Sequence, residues 1–281
     1  MTSALHKTDD GTIELTITIP WAEIEKMYQT VVTETASSAE IAGFRKGKAP
    51  KQIVEENVDK TKVYEETIKR LVPKAYTDAV TEYKLAPIMM PQIELKEATE
   101  KKDWVIVAKT CERPTVTLAD YKKAISDLKA SKTQKIFVPG KDTGEEKPKG
   151  PTVDELLDTL LTVCEAQIPE ILLEHEVTHQ LSQLVDQTKK LGLTVEQYLS
   201  STGKTADSIR AEYKASAAKN LTLEFALESI AEKEQVTVSE DEVTKLIATA
   251  KTEEERKALE GQRYYLTSLI RRQKTVDALM A

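Results

Sequence analysis

The sequence predicts an α+β domain at the N-terminus, followed by an all-α, multi-helix domain with arm-like helices at the C-terminus. Its 281 residues are nearly twice the length of a typical domain, which predicts two domains. Apolar alternation typical of strands occurs only before residue 113, and helical patterns dominate residues 152–281. Hydrophobic residues make up 40% of the chain, which argues against wholesale disorder, and the low number of glycines and prolines favours long helices.

Residues 1–113 combine strand and helix patterns in the order expected of a small α+β domain. Residues 11–19 alternate apolar and polar side chains, which predicts a half-buried strand. Pro20 marks the start of a helix, because proline is favoured at the first helical position. Apolar residues then recur at spacings of three and four: Ile24, Met27, Tyr28 and Val31.

Two further helices and two further strands complete the predicted N-terminal domain. Residues 51–57 and 61–84 have helical patterns, whereas residues 93–95 and 104–108 have strand patterns. Both faces of the strand at 104–108 are apolar, which predicts that it lies in the centre of the sheet.

Residues 114–151 are predicted to be a linker. Within it, residues 114–132 have the pattern of a strand end and a short helix, and residues 131–151 are rich in lysine, glycine, proline and threonine. Capping-box patterns at Thr152, Thr194 and Ser239 predict helix starts in the chain that follows. The predicted helices cover residues 153–167, 170–190, 194–200, 205–232, 239–249 and 252–280. Four large side chains are interpreted as core residues: Met89, Met90, Tyr264 and Tyr265.

Charge, hydropathy and cysteine content argue against several classes of function. The net charge of −7 disfavours a broad nucleic-acid surface and predicts no DNA partner. No apolar run is long enough to cross a membrane, and the N-terminus lacks the apolar stretch of a signal peptide, which predicts a cytoplasmic protein without a membrane partner. Cys111 and Cys164 lie far apart outside any CxxC motif and are predicted to be free thiols.

The sequence His175-Glu176-Val177-Thr178-His179 matches the HExxH pattern of zinc peptidases, in which two histidines one helical turn apart bind the metal. On a helical wheel, however, His175 and His179 lie opposite the apolar stripe. The only other histidine, His6, is distant in the sequence, so a third ligand would have to be a carboxylate such as Glu196. A solvated helix face is therefore the favoured interpretation, and a zinc metallopeptidase is the alternative.

A second candidate site is the segment Gly43-Phe44-Arg45-Lys46-Gly47-Lys48-Ala49-Pro50, which combines cations with one large aromatic residue. The two glycines permit a tight turn, and Phe44 surrounded by cations has the composition of a binding hot spot. An ordinary solvated loop between helices is the other interpretation of these residues.

The pattern Gly43-Phe44-Arg45-x-Gly47-Lys48-x-Pro50 resembles the ribosome-docking signature of the bacterial trigger factor family, and residues 166–177 resemble the start of that family's helical domain. The resemblance implies that these residues, with Lys46, dock on protein and rRNA of the large ribosomal subunit at the peptide exit. It also implies an ATP-independent chaperone whose apolar helix faces in 152–281 shield nascent polypeptides and aid folding and export. The family forms homodimers away from the ribosome and needs no cofactor.

One departure from the family pattern is that the FKBP-type prolyl-isomerase domain between the two family domains is missing. Such a domain needs on the order of 100 residues, and only the linker-like residues 131–151 occupy its place. The chain is therefore predicted not to be an enzyme. A free helical chaperone without ribosome docking and an active isomerase remain as further alternatives.

Overall fold

The computed structural model describes residues 1–38, 59–133 and 150–281 and divides the chain into two compact units. The first unit comprises Met1–Arg113 with Pro169–Ile171, and the second comprises Pro114–Ile168 with Leu172–Ala281. The elements of the first unit are β1 (Thr2–Lys7), β2 (Thr12–Ile19), α1 (Trp21–Ser38), α2 (Lys60–Glu82), β3 (Gln92–Glu97) and β4 (Trp104–Cys111). The predicted helix at 51–57 and most of the predicted connection at 131–151 lie outside the described residues.

The first unit is an antiparallel sheet with strand order β1-β2-β4-β3, covered on one face by α1 and α2. β4 lies between β2 and β3, which confirms its predicted central position. In the register of β2 and β4, Leu15 faces Ala108 and Ile17 faces Ile106, so both strands direct apolar residues to the same side. Those residues form one buried cluster with Leu71 of α2. The helix that begins after Pro20 buries Ile24 and Val31, as its spacing predicted.

β1 is a strand that the sequence pattern did not predict. Its side chains are largely exposed, so the apolar alternation that identifies a half-buried strand is weak. The strand forms because it pairs with β2 from Thr2–Thr18 to Lys7–Ile13. Gly11 in the turn between them has a φ of +89°, a conformation that favours glycine.

The Asp10 carboxylate organises this turn and also holds the segment Pro169–Ile171. It accepts hydrogen bonds from the Thr8 hydroxyl, from the Thr12 amide at 3.1 Å and from the Thr12 hydroxyl at 2.8 Å. Its second oxygen also accepts the Glu170 amide at 3.0 Å. Partial burial alone would raise the pKa of the Asp10 carboxyl, but the hydrogen bonds from Thr8, Glu170 and Thr12 hold that pKa well below its ordinary value.

The second unit contains two short strands and eight helices among its described residues. They are β5 (Val116–Leu118), α3 (Tyr121–Thr133), α4 (Val153–Val163), β6 (Cys164–Ala166), α5 (Glu170–Lys190), α6 (Val195–Thr202), α7 (Ala206–Lys233), α8 (Glu240–Ala248), α9 (Glu253–Glu260) and α10 (Arg263–Met280). β5 pairs antiparallel with β6. No helix in the described ranges is both long and apolar enough to span a membrane.

The structure differs from the predicted linker at 114–151, because residues 114–133 belong to the second unit. Tyr121 and Ile125 of α3 are buried in one cluster with Leu156 and Leu160 of α4 and Ile230 of α7. The Tyr121 hydroxyl donates to Glu234 at 2.6 Å, and burial together with this carboxylate raises the pKa of Tyr121 to about 12. The short helix itself was predicted, but its lysine-rich sequence did not indicate that Tyr121 and Ile125 are buried in the core of the second unit.

The predicted capping boxes at Thr152, Thr194 and Ser239 are confirmed, since each side chain accepts the backbone N–H three residues later. At the third box, hydrogen bonds from Ser239 and Lys274 lower the pKa of Glu242 to about 2.

Two predicted helix boundaries were wrong. The helix predicted at 153–167 ends at Val163, because Cys164–Ala166 pairs with β5. The helix predicted at 252–280 is divided at Gly261 and Gln262 into α9 and α10.

Replacing Asp10 with Asn tests the role of its carboxylate. Whichever way the amide is oriented, two of the four donors to Asp10 lose their acceptor. We expect Asp10→Asn to lower the stability of the first unit by about 1 kcal/mol at pH 7. Both tryptophans, Trp21 and Trp104, lie in the first unit, so urea unfolding followed by tryptophan fluorescence measures that unit.

The same comparison has a defined pH dependence. The folded-state pKa of Asp10 is depressed, so its stabilisation is present above the ordinary value of 3.8 and is lost as pH falls below it. The difference between wild type and Asp10→Asn should therefore shrink below about pH 4. A difference that stays constant from pH 7 to pH 3 would contradict this assignment.

Candidate functional site

The predicted docking residues Gly43, Phe44, Arg45, Lys46, Gly47, Lys48 and Pro50 lie outside the described residues. The structure does describe the two helices between which their segment runs. Val31 and Val32 of α1 and Val63 of α2 form a separate buried cluster, against which Tyr28 packs. The two helices are therefore fixed to each other close to the ends that flank residues 39–58.

Polar and aromatic contacts strengthen this packing of α1 on α2. Arg70 donates to Glu34 at 2.7 Å and to Glu66 at 2.8 Å, so one guanidinium joins the two helices. The ring centroids of Tyr28 and Tyr64 lie 4.8 Å apart, and those of Tyr64 and Trp104 lie 5.9 Å apart. These tilted ring pairs connect both helices to the central strand β4.

The HExxH residues lie on the outer face of α5. Val177 is fully buried, whereas His175 and His179 are exposed, as the helical wheel predicted. The polar contacts of Glu176 and His179 are within α5: Glu176 accepts the Gln180 amide at 3.0 Å, and His179 lies 3.3 Å from the Gln183 amide nitrogen. Within the described ranges no group of three or more His, Cys, Asp or Glu side chains could hold a metal ion. Glu196 is accordingly not placed to complete such a site.

The interpretation of Met90, Tyr264 and Tyr265 as core residues was wrong. Their exposed fractions are 88%, 89% and 56%, respectively. A helical or strand pattern does not show which apolar face finds a partner, so the sequence could not distinguish these residues from buried ones.

Exposed apolar side chains also mark the turn between α5 and α6. Leu191 is 73% exposed and Leu193 is 40% exposed, on either side of Gly192. Gly192 has a φ of +71°, and the Leu193 amide bonds back to the Thr188 carbonyl at 3.0 Å, which is a Schellman cap. The cap holds the two leucines on a defined turn at the end of a helix.

A groove of about 480 Å³ lies between α3, α7 and α10 of the second unit. Ile125, Ile230 and Leu279 line it, and Lys122 and Glu234 form an ion pair of 2.7 Å at its margin. A smaller recess of about 120 Å³ lies beside Tyr264, where Arg272 pairs with Glu224 at 3.1 Å. The larger groove, which has apolar residues beside charged ones, can accept the apolar side chains of another polypeptide.

Two family models match this chain over almost its entire length. The model described as bacterial trigger factor protein matches residues 1–136, and the model described as bacterial trigger factor protein C-terminus matches residues 144–281. Residues 137–143 alone lie between the two matches.

Curated relatives match about half of this chain. The trigger factor of Staphylococcus epidermidis is 29% identical over 122 residues, which are 43% of this chain and 28% of that protein. The trigger factor of Mycobacterium sp. strain KMS is 30% identical over 120 residues, or 43% of this chain and 25% of that protein. The trigger factor of Corynebacterium aurimucosum is 28% identical over 160 residues, which are 57% of this chain and 32% of that protein. The matched segments thus span about a quarter to a third of these relatives.

A solved structure described under "Promiscuous Substrate Recognition in Folding and Assembly Activities of the Trigger Factor Chaperone" superposes with a TM-score of 0.65. The superposition covers 100% of this chain and 99% of that chain at 15% identity. At this identity the superposition shows a shared fold.

Substitutions on α5 separate a metal site from a solvated helix face. We expect His175→Ala/His179→Ala to change the stability of the helical unit by less than about 0.5 kcal/mol, because both side chains are exposed. Val177→Ala on the same helix should lower it by about 2 kcal/mol, because Val177 is fully buried. Denaturant unfolding followed by circular dichroism measures both effects.

Repeating this unfolding with Zn²⁺ provides the control. A site that binds zinc in the native state would raise the midpoint of unfolding, and the midpoint would rise further with the logarithm of the Zn²⁺ concentration above the Kd. An increase seen in wild type and lost in the double histidine variant would contradict the assignment of a solvated face.

Proposed function

The chain belongs to the bacterial trigger factor family, and we propose that it is an ATP-independent chaperone that docks at the ribosomal exit site and shields newly synthesised polypeptides. The observation that carries the proposal is the match of the two family models to residues 1–136 and 144–281. The segment Gly43-Phe44-Arg45-x-Gly47-Lys48-x-Pro50, which carries the docking signature, falls within the first match.

We assign ribosome docking to the first unit. Arg45, Lys46 and Lys48 supply cations for phosphates of rRNA and carboxylates of a ribosomal protein, and Phe44 supplies an apolar anchor. The packing of α1 on α2 supports this role, because a docking segment gains affinity when the elements that carry it are already ordered. The net charge of −7 on the whole chain limits unspecific adhesion to RNA.

We assign client binding to the helices of residues 152–281, which make up most of the second unit. Exposed apolar side chains on the α5–α6 turn and on α10 support this assignment, as does the groove that Ile125, Ile230 and Leu279 help to line. Scattered apolar contacts of this kind bind unfolded segments weakly and without strict sequence preference. The proposed setting is the cytoplasm, with the chain ribosome-associated or, when free, a homodimer.

We further propose that this chain is not a prolyl isomerase. The chain consists of the N- and C-terminal parts of the family, with residues 137–143 between the two matches. An isomerase domain of on the order of 100 residues has no place there. No cofactor or nucleotide enters the proposed activity.

Co-sedimentation with bacterial ribosomes tests the docking proposal. We expect wild type to pellet with ribosomes and Phe44→Ala/Arg45→Ala/Lys46→Ala to bind about 30-fold more weakly, since losing hot-spot anchors costs about 2 kcal/mol. The ionic part of the binding should also weaken as salt increases.

Lys189→Ala/Lys190→Ala/Leu191→Ala is a matched control, because it removes two exposed cations and one exposed apolar side chain from the second unit. It should pellet like wild type. If wild type itself stays in the supernatant, the docking proposal fails and a free chaperone replaces it.

Proline-limited refolding of a model protein tests the absence of isomerase activity. The chain should leave the slow refolding phase unchanged at equimolar concentration, whereas a prolyl isomerase of known activity accelerates it. Catalysis by this chain at substoichiometric concentration would contradict the proposal.

A further inference from the structure

Strand β3 forms an open edge of the sheet in the first unit. In the part of the chain that the structure describes, it pairs with β4 alone. In an antiparallel sheet, every second residue of an edge strand directs its N–H and C=O away from the sheet. Such an edge is a template for one further strand.

The apolar face of the sheet extends onto this edge. Ile93 faces Ala108 and Leu95 faces Ile106 across the β3–β4 pair. Ala108 and Ile106 are fully buried in the cluster formed with the helices, yet Ile93 and Leu95 are 41% and 42% exposed. The helices α1 and α2 therefore cover the apolar face at β4 but not at β3, where that face continues.

Local features of β3 limit what can pair there. The register shifts between Leu95 and Glu97, so regular pairing extends only from Gln92 to Leu95. The bulge and the neighbouring charges are the devices that prevent edge-to-edge aggregation. The edge therefore suits a short and reversible strand.

Glu94 defines the charge at the centre of this edge. Its carboxylate pairs with Lys96 at 2.5 Å, and its side chain alternates with those of Ile93 and Leu95 on the strand. Opposite charges directly across an antiparallel pair are favourable and like charges are unfavourable. Two copies of β3 paired so that Ile93 faces Leu95 would also bring Glu94 against Glu94, which disfavours a second copy as the occupant.

We propose that β3 binds an extended segment of an unfolded polypeptide as a fifth strand of the sheet. The segment places apolar side chains beside Ile93 and Leu95 and a basic residue opposite Glu94, so it has an apolar–basic–apolar pattern. This inference rests on the proposed function, because it needs a chain that binds unfolded polypeptides. It gives the first unit a client site of its own.

Fluorescence anisotropy tests whether side chains of β3 contribute to binding of the extended segment. The probe is a labelled eight-residue peptide with Val-Lys-Val at its centre and Ser or Thr elsewhere. We expect Ile93→Thr/Leu95→Thr to weaken binding at least fivefold, with the fold checked by circular dichroism. Ile88→Thr makes the same kind of change at an exposed apolar residue of the first unit outside β3 and should leave binding unchanged. Glu94→Lys should reverse the preference for this peptide over its Val-Glu-Val counterpart.

Methylation of backbone nitrogens in the peptide tests whether the peptide binds β3 through the hydrogen bonds of a strand. Methyl groups on the peptide amides that face β3 should abolish binding, whereas methyl groups on the alternate amides should not, since those point to solvent. Equal tolerance of both patterns would overturn the inference, because contact through side chains alone is insensitive to this choice. Sedimentation velocity tests whether a second copy of the chain occupies the edge instead. If Ile93→Thr/Leu95→Thr abolishes a dimer but leaves peptide binding unchanged, the inference is overturned in favour of a second copy.

A second assay separates this inference from the chaperone proposal. It measures whether the chain suppresses the aggregation of a denatured model protein. If the chain suppresses aggregation but the peptide does not bind β3, only the present inference fails. If the chain suppresses no aggregation, the chaperone proposal fails and the inference fails with it.

Discussion

The pairing of β2 with β4 is the interaction on which the first unit depends. It joins segments about ninety residues apart, from Thr12–Cys111 to Ile19–Trp104, and aligns their apolar side chains on one face. Burial of that face under α1 and α2 supplies the free energy that offsets the entropy of closing so long a loop. Everything else in the unit is arranged around this pair.

Two functional features follow from that arrangement. Because α1 and α2 are both fixed on the paired strands, the segment 39–58 that runs between them starts and ends on ordered helices. Because the helices cover the centre of the sheet, the outer strand β3 keeps an open edge with half-exposed Ile93 and Leu95. The helices α1 and α2 thus support the proposed docking segment and leave the edge strand β3, where we propose that a client binds, uncovered.

The second unit shows how a family member can lack a middle domain. Lys132 near the end of α3 pairs with Glu155 near the start of α4 at 2.6 Å, and the two helices share a buried cluster. The chain therefore leaves and re-enters the unit at nearly the same place, so a short connection is sufficient there. The narrow apolar faces of its capped helices also leave leucines and tyrosines on the surface, as a weak and general polypeptide binder requires.

The sequence alone determined the features that depend on near neighbours in the chain. The alternation in β2, the helix start after Pro20 and the capping boxes at Thr152, Thr194 and Ser239 involve residues a few positions apart, and the structure confirms them. The pattern at 43–50, which we propose for docking, is likewise local, and its residue types and spacing are sufficient to indicate the family.

Only the tertiary structure determined the features that depend on residues far apart in the chain. β1 exists because β2 accepts it, Cys164–Ala166 leaves the helix because β5 pairs with it, and α3 is a core helix because α4 and α7 cover Tyr121 and Ile125. Tyr264 and Met90 stay exposed because, among the described residues, no element packs over them. Hydrophobic burial is not directional, so an apolar side chain indicates that it can be covered, and only the folded chain determines what covers it.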